Sequence, residues 1–148
     1  RRSVYQFFTG DFISRCVCLV FFLAFPTTNT RPLITGSGLW NQAALWLYSI
    51  DAADNLFPSI HCLVSWFCYL GIRGRKEIPR WYQRMSMVIA VLVFASTLLT
   101  KQHVIVDVAG GILLAEFCFF IGRKTDLYRI YERFGSRIEQ KIRRLTEG

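Results

Sequence analysis

Four apolar runs separated by polar breaks constrain the fold of this chain more than any other feature. They cover residues 12–25, 58–72, 85–100 and 104–122. A helix needs about 20 apolar residues to cross a bilayer, or about 17 at the low end. The run at 85–100 is the clearest candidate, whereas the first run reaches this length only when it is extended to residues 7–26. The pattern predicts an all-α, polytopic membrane helix bundle with four visible spans.

The balance between apolar and charged residues supports a membrane location. Of the 148 residues, 53% are hydrophobic, and a soluble domain of this size would have difficulty in burying so much apolar surface. The formal net charge is +8, but the basic residues cluster outside the apolar runs. We therefore expect them to contact the anionic lipid head groups of the bilayer and not nucleic acid.

The last part of the chain has a different pattern. From Asp126 onwards, apolar residues recur at helical spacing, and Arg and Lys fill much of the remainder. This predicts a basic amphipathic helix on a membrane surface, although a solvated helix packed on its own protein would have the same pattern. The sequence thus predicts a membrane-embedded helical domain at residues 1–124 and a cytoplasmic tail helix at residues 125–148.

The longest connection, residues 26–57, begins with a turn-rich segment and then has a dozen mostly apolar and aromatic residues at 39–50. These are too few to span a bilayer, and their Trp and Tyr content predicts an interfacial or re-entrant helix. Asp51 and Asp54 follow, and we interpret both as capping or loop residues. Asp54 is also a candidate to bind the alcohol part of a substrate.

The distribution of charge predicts how the spans are oriented. Short loops rich in Lys and Arg stay cytoplasmic, and the most basic segments are residues 73–84 and the tail. The arginines near the start of the chain belong on the same side. Four spans then place residues 26–57 and 100–103 together at the opposite, non-cytoplasmic face. Both histidines of the chain, together with Arg31 and Lys101, are expected to meet there.

The polar residues at that face suit phosphoryl transfer. His103 and Asp107 are four residues apart, so that on a helix the carboxylate can reach and orient the imidazole. A histidine oriented in this way is a nucleophile that can attack phosphorus and form a phosphohistidine. His61, when protonated, can donate a proton to the leaving oxygen.

Groups that suit phosphate binding lie beside these residues. Arg31 and Lys101 supply positive charge and directed donors, and Ser59 with nearby backbone N–H groups at a helix start can hold phosphate oxygens. Interfacial packing would explain either histidine alone, but it explains the whole set poorly. We expect no metal and no other cofactor, because two histidines on separate helices and one carboxylate are not a convincing ligand set.

The same residues resemble the motifs of the type 2 phosphatidic acid phosphatase superfamily. Its middle motif, P-S-x-H, is matched in full by residues 58–61. Its last motif, S-R-x5-H-x3-D, is matched at Ser96, His103 and Asp107. The middle motif alone is weak evidence, but the spaced histidine and aspartate, with spans in the right places, make the resemblance specific.

Two cations of the family motifs are replaced in this chain. The first motif, K-x6-R-P, is matched only at residues 31–32, and Ala24 stands in the place of the lysine. In the last motif, Thr97 stands in the place of the arginine. Lys101 is a candidate to substitute for one of these cations.

The resemblance implies a role for each matched residue. It makes His103 the nucleophile, Asp107 its orienting partner and His61 the general acid, with Arg31 and Ser59 in contact with phosphate. It implies an integral-membrane, metal-independent phosphatase that acts on a lipid phosphate or diphosphate. Members of the family usually have six spans and an outward-facing site, so that two further spans are expected before the first residue.

Two other functions remain open. A phosphotransferase would pass the phosphoryl head group from His103 to an alcohol instead of water, an arrangement that inositol phosphorylceramide synthases resemble. A non-catalytic scaffold or transporter fragment would retain the fold without the reaction. The three hypotheses differ in the acceptor of the phosphoryl group and in the consequence of removing His103.

Overall fold

The chain folds into helices joined by loops, as its apolar runs predict. The computed structural model describes residues 2–51 and 54–133. Five helices are α1 (Arg2–Ala24), α2 (Leu39–Ile50), α3 (Ile60–Ile72), α4 (Arg80–Leu99) and α5 (Ile105–Lys124). A sixth, α6, begins at residue 128 and continues to residue 133, where the described part ends. The predicted all-α class is confirmed for these residues, whose only extended pairing is an isolated bridge between Thr28 and Asp54.

Three of the described helices, α1, α4 and α5, are long and apolar enough to cross a membrane. The fourth predicted span is the apolar helix α3, which has only 13 residues. At about 1.5 Å per residue it is about 20 Å long, which is shorter than the roughly 30 Å hydrocarbon core of a bilayer. The structure therefore supports a membrane protein with three candidate spans, and a count of four or six stays a prediction.

The helix boundaries differ from the predicted ones at two places. α1 begins at Arg2 and not near residue 7, and α4 begins at Arg80 inside the segment that was predicted as a basic loop. Thr9 in the early part of α1 is buried, and its Oγ1 atom donates to the Tyr5 carbonyl at 2.8 Å. The predicted helix at residues 39–50 is confirmed with the same bounds as α2.

α5 is the central helix of the bundle. It packs between α1 and α3, and α3 packs in turn against α4. The contacts are close because small residues lie where backbones meet, and a Cβ atom on Gly111 would lie 2.6 Å from the Ser59 carbonyl oxygen. Gly111 thus allows the backbone of α5 to lie close to the start of α3. The core that α1, α3 and α5 share is formed by Cys18, Leu63, Phe67, Leu70, Ala115, Cys118 and Phe119.

The two ends of the bundle gather different segments. At one end the backbone N–H of Ser59 donates to the Asp107 carbonyl at 3.1 Å, and Asn29 Nδ2 donates to the Lys101 carbonyl at 2.9 Å. At the other end Gln6 Nε2 donates to the Arg123 carbonyl at 3.2 Å. The connection after α1 and the loop after α4 therefore share one end, as the charge distribution predicted.

The predicted tail is described only in its first turns. Arg2 stacks on the ring of Tyr128 with 5.1 Å between guanidinium carbon and ring centroid, and the ring of Tyr131 packs against Phe12. The start of α6 thus lies against α1. The rest of the predicted amphipathic helix, residues 134–148, lies outside the described residues.

Candidate active site

The two histidines lie side by side at one end of the bundle. His61 is in the first turn of α3, and His103 is in the loop that leads into α5. Their ring centroids are 5.8 Å apart, and the planes of the rings are inclined by 67°. Residues 42 positions apart in the chain are therefore close enough to act on one small group.

His103 does not lie on a helix, contrary to the expectation from its spacing. α5 begins two residues later, and Asp107 is in its first turn, where Oδ2 accepts a hydrogen bond of 3.0 Å from the backbone N–H of Val104. The contact between the two side chains is nonetheless made, with 3.4 Å between His103 Nδ1 and Asp107 Oδ2. The carboxylate therefore faces Nδ1 and leaves Nε2 for chemistry.

The Nδ1 atom of His103 is buried and has no hydrogen bond within the described part of the chain. The 3.4 Å separation from Asp107 is too long for a good hydrogen bond. Catalytic contacts of this kind are often long in the absence of substrate and shorten in the complex. The geometry thus suits a pair that tightens when charge develops on the imidazole.

The surroundings of His103 keep its imidazole neutral. Burial lowers the pKa of His103 from its ordinary value of 6.5, and nearby His61 acts in the same direction. The carboxylates of Asp107 and Asp51 oppose this shift, but burial outweighs them. At neutral pH the ring nitrogen therefore carries the lone pair that a nucleophile needs.

The loop that carries His103 is held by Thr97, which occupies the position of the motif arginine. Its carbonyl oxygen accepts hydrogen bonds from the backbone N–H groups of Gln102 and His103, at 3.0 and 3.2 Å. Its side chain is 3% exposed and donates to the Phe94 carbonyl at 3.0 Å. Thr97 thus fixes the loop and supplies no positive charge to the site.

Asp51 connects the groups around the histidines. Its Oδ2 atom accepts hydrogen bonds from Arg31 Nη2 at 2.9 Å and from Gln102 Nε2 at 2.8 Å. Its Oδ1 atom lies 3.5 Å from Nε2 of His61. Asp51 is the C-cap residue of α2, as its position in the loop predicted. The sequence did not predict that Asp51 connects these groups, because its partners are 20 and 51 residues away and leave no local pattern.

Arg31 is bound from several sides. Besides the carboxylate of Asp51, its Nη1 atom donates to the carbonyl oxygens of Asp51 at 2.6 Å and Tyr48 at 3.1 Å. The guanidinium also stacks on the ring of Tyr48, 4.6 Å from its centroid, and the side chain is 11% exposed. Arg31 is therefore bound to the end of α2 through Tyr48 and Asp51.

The other two predicted phosphate ligands differ in exposure. Ser59 is fully buried, and its Oγ atom caps α3 by accepting from the backbone N–H of Cys62 at 3.4 Å. Lys101 is exposed in the loop after α4, where its φ of 56° lies in the left-handed region. Ser59 in this arrangement joins α3 to α5, whereas the flexible side chain of Lys101 can reach across the surface.

A pocket of about 250 Å³ opens at the histidines. It is lined by Phe22, Asp51, Asp54, Asn55, Leu56, Ile60, His61 and His103. A second, apolar pocket of about 240 Å³ shares Phe22 and Ile60 with it and continues between α1 and α3. The arrangement offers a polar chamber next to an apolar groove, which suits a molecule with a charged head and a hydrocarbon chain.

One comparison with known proteins identifies a family for this chain. The model of the PAP2 superfamily matches residues 1–121, a range that includes both histidines, Asp107 and most of α5. Searches of curated proteins and of solved structures gave no match. Because the family match covers most of the chain, this protein belongs to the PAP2 superfamily.

Proposed function

We propose that this protein is an integral-membrane hydrolase that removes phosphate from a lipid phosphate or diphosphate through a phosphohistidine on His103. The observation that carries the proposal is the pair of histidines in one pocket, one of them backed by Asp107. Membership of the superfamily supports phosphatase activity. The apolar groove beside the pocket supports a lipid substrate.

The reaction has two balanced steps. In the first, the lone pair of His103 Nε2 attacks phosphorus, an N–P bond forms, and the bond from phosphorus to the leaving oxygen breaks. Protonated His61 gives its proton to that oxygen. In the second, neutral His61 takes a proton from water as the water oxygen attacks phosphorus. The N–P bond breaks, and its electron pair returns to Nε2 with release of inorganic phosphate.

The carboxylates assist these steps without touching the phosphoryl group. Asp107 faces Nδ1 of His103, so that it stabilises the positive charge that the ring acquires on phosphorylation. Asp51 lies 3.5 Å from His61 Nε2 and orients this ring in the pocket. The two imidazoles thereby have different partners, Asp107 for His103 and Asp51 for His61.

In this proposal, Arg31 and Lys101 supply the positive charge that binds the phosphate group. Arg31 is already paired with Asp51, so that a phosphate oxygen has to share or replace that carboxylate. Lys101 is exposed and close in sequence to the nucleophile. Ser59 acts by holding the start of α3, and it would contact phosphate only after leaving its buried cap position.

We also propose which side of the membrane the site faces. With the basic end of the bundle in the cytoplasm, the site faces the non-cytoplasmic side, in a membrane domain at residues 1–124 followed by the tail at residues 125–148. The first pocket admits a phosphate group, and the groove along Phe22 and Ile60 accepts the adjoining part of an acyl or prenyl chain. No cofactor is required for either step.

The test is phosphate release from a panel of lipid phosphates and diphosphates, without added metal. We expect His103→Ala to abolish release and His61→Ala to lower it by about 100-fold or more, since a general acid contributes about 10²–10⁴-fold. Substrate labelled with ³²P should label the wild type, and the label should be lost in acid and retained in base, as for phosphohistidine. Glu77→Gln is the control, because Glu77 is a carboxylate at the opposite end of the bundle, outside the pocket of the histidines.

The outcomes separate the alternatives. Release that continues in His103→Ala would refute the histidine mechanism. Transfer of the labelled head group to an added alcohol, with little release to water, would favour the phosphotransferase. The replacement of two motif cations by Ala24 and Thr97 is the observation that favours this second function. A folded protein with neither activity would favour the scaffold.

A further inference from the structure

A larger pocket lies at the end of the bundle opposite the histidines. Its volume is about 480 Å³, and it is formed by the start of α1, the end of α3, the loop at residues 74–78 and the end of α5. Since α3 separates His61 from Arg73 by 12 residues, the two pockets are about 18 Å apart along the helix axis. The proposed phosphatase reaction makes no use of this pocket.

The pocket exists because α3 ends before its neighbour. Arg73, directly after α3, pairs with Glu116 at 2.9 Å, whereas α5 continues from there to Lys124. That extension is about 12 Å long at about 1.5 Å per residue. The end of α5 thus overhangs α3, and the loop that leads to α4 lines the recess.

The loop that forms the wall is fixed in one conformation by Gln83 of α4. The side-chain Nε2 of Gln83 donates to the carbonyl oxygens of Arg75 and Ile78, both at 2.9 Å. Its Oε1 accepts from the backbone N–H of Gly74 at 2.9 Å, a residue with a φ of 74° that favours glycine. The backbone that carries Arg75 and Lys76 is therefore positioned before any ligand arrives.

The lining carries an excess of positive charge. Its four basic residues, Arg73, Arg75, Lys76 and Arg123, face a single acid, Glu77. The carboxylate of Glu116 takes up the charge of Arg73. Within residues 2–51 and 54–133, the other three cations form no ion pair with a carboxylate. A recess with this excess of positive charge attracts an anion.

The floor of the recess is apolar. The apolar part of the lining, which we call the floor, is formed by Phe7 of α1, Leu70 of α3 and Phe119 of α5. A small hydrated anion gains nothing from such a floor, whereas the glycerol and first methylene groups of a phospholipid bury apolar surface against it. Basic segments at the ends of membrane helices also meet the head groups of anionic lipids.

We propose that this recess is a binding site for the phosphate head group of an anionic phospholipid. Arg75, Lys76 and Arg123 contact the phosphate, and the apolar floor contacts the adjoining part of the lipid. The site is separate in position from the proposed active site, and its described lining contains no histidine. A lipid bound there covers the end of α3, beyond which α5 continues.

Lipid binding to the purified chain in detergent tests the proposal. Native mass spectrometry would compare phosphatidylglycerol with phosphatidylcholine of the same acyl chains. Each cation near a head group contributes about fivefold in affinity. We therefore expect the double variant Arg75→Gln, Lys76→Gln to bind phosphatidylglycerol about 25-fold more weakly. Arg84→Gln is the matched control, since Arg84 lies on α4 near the same end and does not line the recess.

A photoactivatable phosphatidylglycerol on the wild type locates the bound lipid without any variant. Cross-links to the peptide that contains residues 73–78 support the recess. The single variant Lys76→Gln, at an exposed loop position, guards against misfolding of the double variant and should weaken binding about fivefold.

Three results would overturn the proposal. Equal binding of phosphatidylcholine would show that the net charge of the lipid is irrelevant. An equal loss in Arg84→Gln would show that only the overall charge of this end matters. Inorganic phosphate that binds as tightly as the lipid, and displaces it, would assign the recess to a free anion.

Discussion

The substitution Asp51→Asn removes the carboxylate that connects the groups around the histidines. Its effect on the free energy of unfolding follows from the hydrogen bonds of Asp51. Oδ2 of Asp51 accepts one bond from the charged Arg31 and one from Gln102. A hydrogen bond to a charged group contributes about 1.5–3 kcal/mol net, and a neutral one about 0.5–1.5 kcal/mol. Asparagine retains one acceptor oxygen but no charge. We expect the variant to lose about 2 kcal/mol of unfolding free energy.

The ion pair between Arg31 and Asp51 is only partly buried. The expected loss of unfolding free energy is therefore smaller than that for a fully buried ion pair. Breaking a buried pair costs about 3–5 kcal/mol. The side chain of Asp51 is 27% exposed, and Arg31 keeps two carbonyl acceptors, so that water and backbone recover part of the loss. The measurement is a denaturant titration in detergent micelles, with Asp54→Asn as the control that keeps wild-type stability.

The same variant should lower the rate of phosphate release. Without a carboxylate 3.5 Å from its Nε2 atom, His61 loses the partner that holds the protonated ring toward the leaving group. Since general-acid catalysis contributes about 10²–10⁴-fold, we expect kcat to fall by about tenfold or more. Wild-type stability together with a wild-type rate in Asp51→Asn would refute the reasoning, and a faster rate would show that Asp51 withholds Arg31 from phosphate.

Two further predictions concern His103 and the packing of α5. Burial lowers the pKa of His103 and Asp107 raises it, so phosphate release should fall on acidification below about pH 6.5. Asp107→Asn removes the opposing influence and should move this acidic limb of the kcat/KM profile to lower pH, with a lower maximum. A limb that moves to higher pH would contradict the assignment. Gly111→Val places a side chain against the Ser59 backbone and should destabilise the bundle by about 1–3 kcal/mol, as measured by unfolding in micelles. Gly38→Ala, at a position with open space around it, should keep wild-type stability, and equal stability of both variants would show that α3 and α5 can separate freely.

Much of the helical fold could be predicted from the sequence, because apolar runs and polar breaks mark membrane helices directly. α2 has the predicted bounds, and the candidate spans α4 and α5 overlap the predicted runs. The start of α1 was missed, since its polar residues resemble a flanking segment. They are helical because α1 packs against α5, where a Cβ atom on Gly10 would lie 2.9 Å from the Cys118 carbonyl oxygen.

The candidate site was predictable only in part. The two histidines and the one aspartate could be predicted, because their residue types and their spacing are visible in the sequence. Asp51 and Gln102 act through tertiary hydrogen bonds, and an aspartate at a helix end has many local explanations. The position of Arg31 could not be predicted for the same reason, because its binding to Tyr48 and Asp51 depends on how the long connection folds back.

The attachment of α2 has a consequence for motion at the site. No residue of α2 is buried, and its segment is tied to the loop after α4 by three hydrogen bonds, from Asn29 to the Lys101 carbonyl, from Tyr48 to the Thr100 carbonyl and from Gln102 to Asp51. At about 1 kcal/mol for each of the two neutral bonds and about 2 kcal/mol for the bond to the Asp51 carboxylate, these bonds allow a detached state in roughly 1 of every 900 molecules. The amide hydrogens of the loop should then exchange with solvent far sooner than those of α5. In the proposed reaction, the same fluctuation would give the substrate a passage to the histidines on the timescale of loop motions.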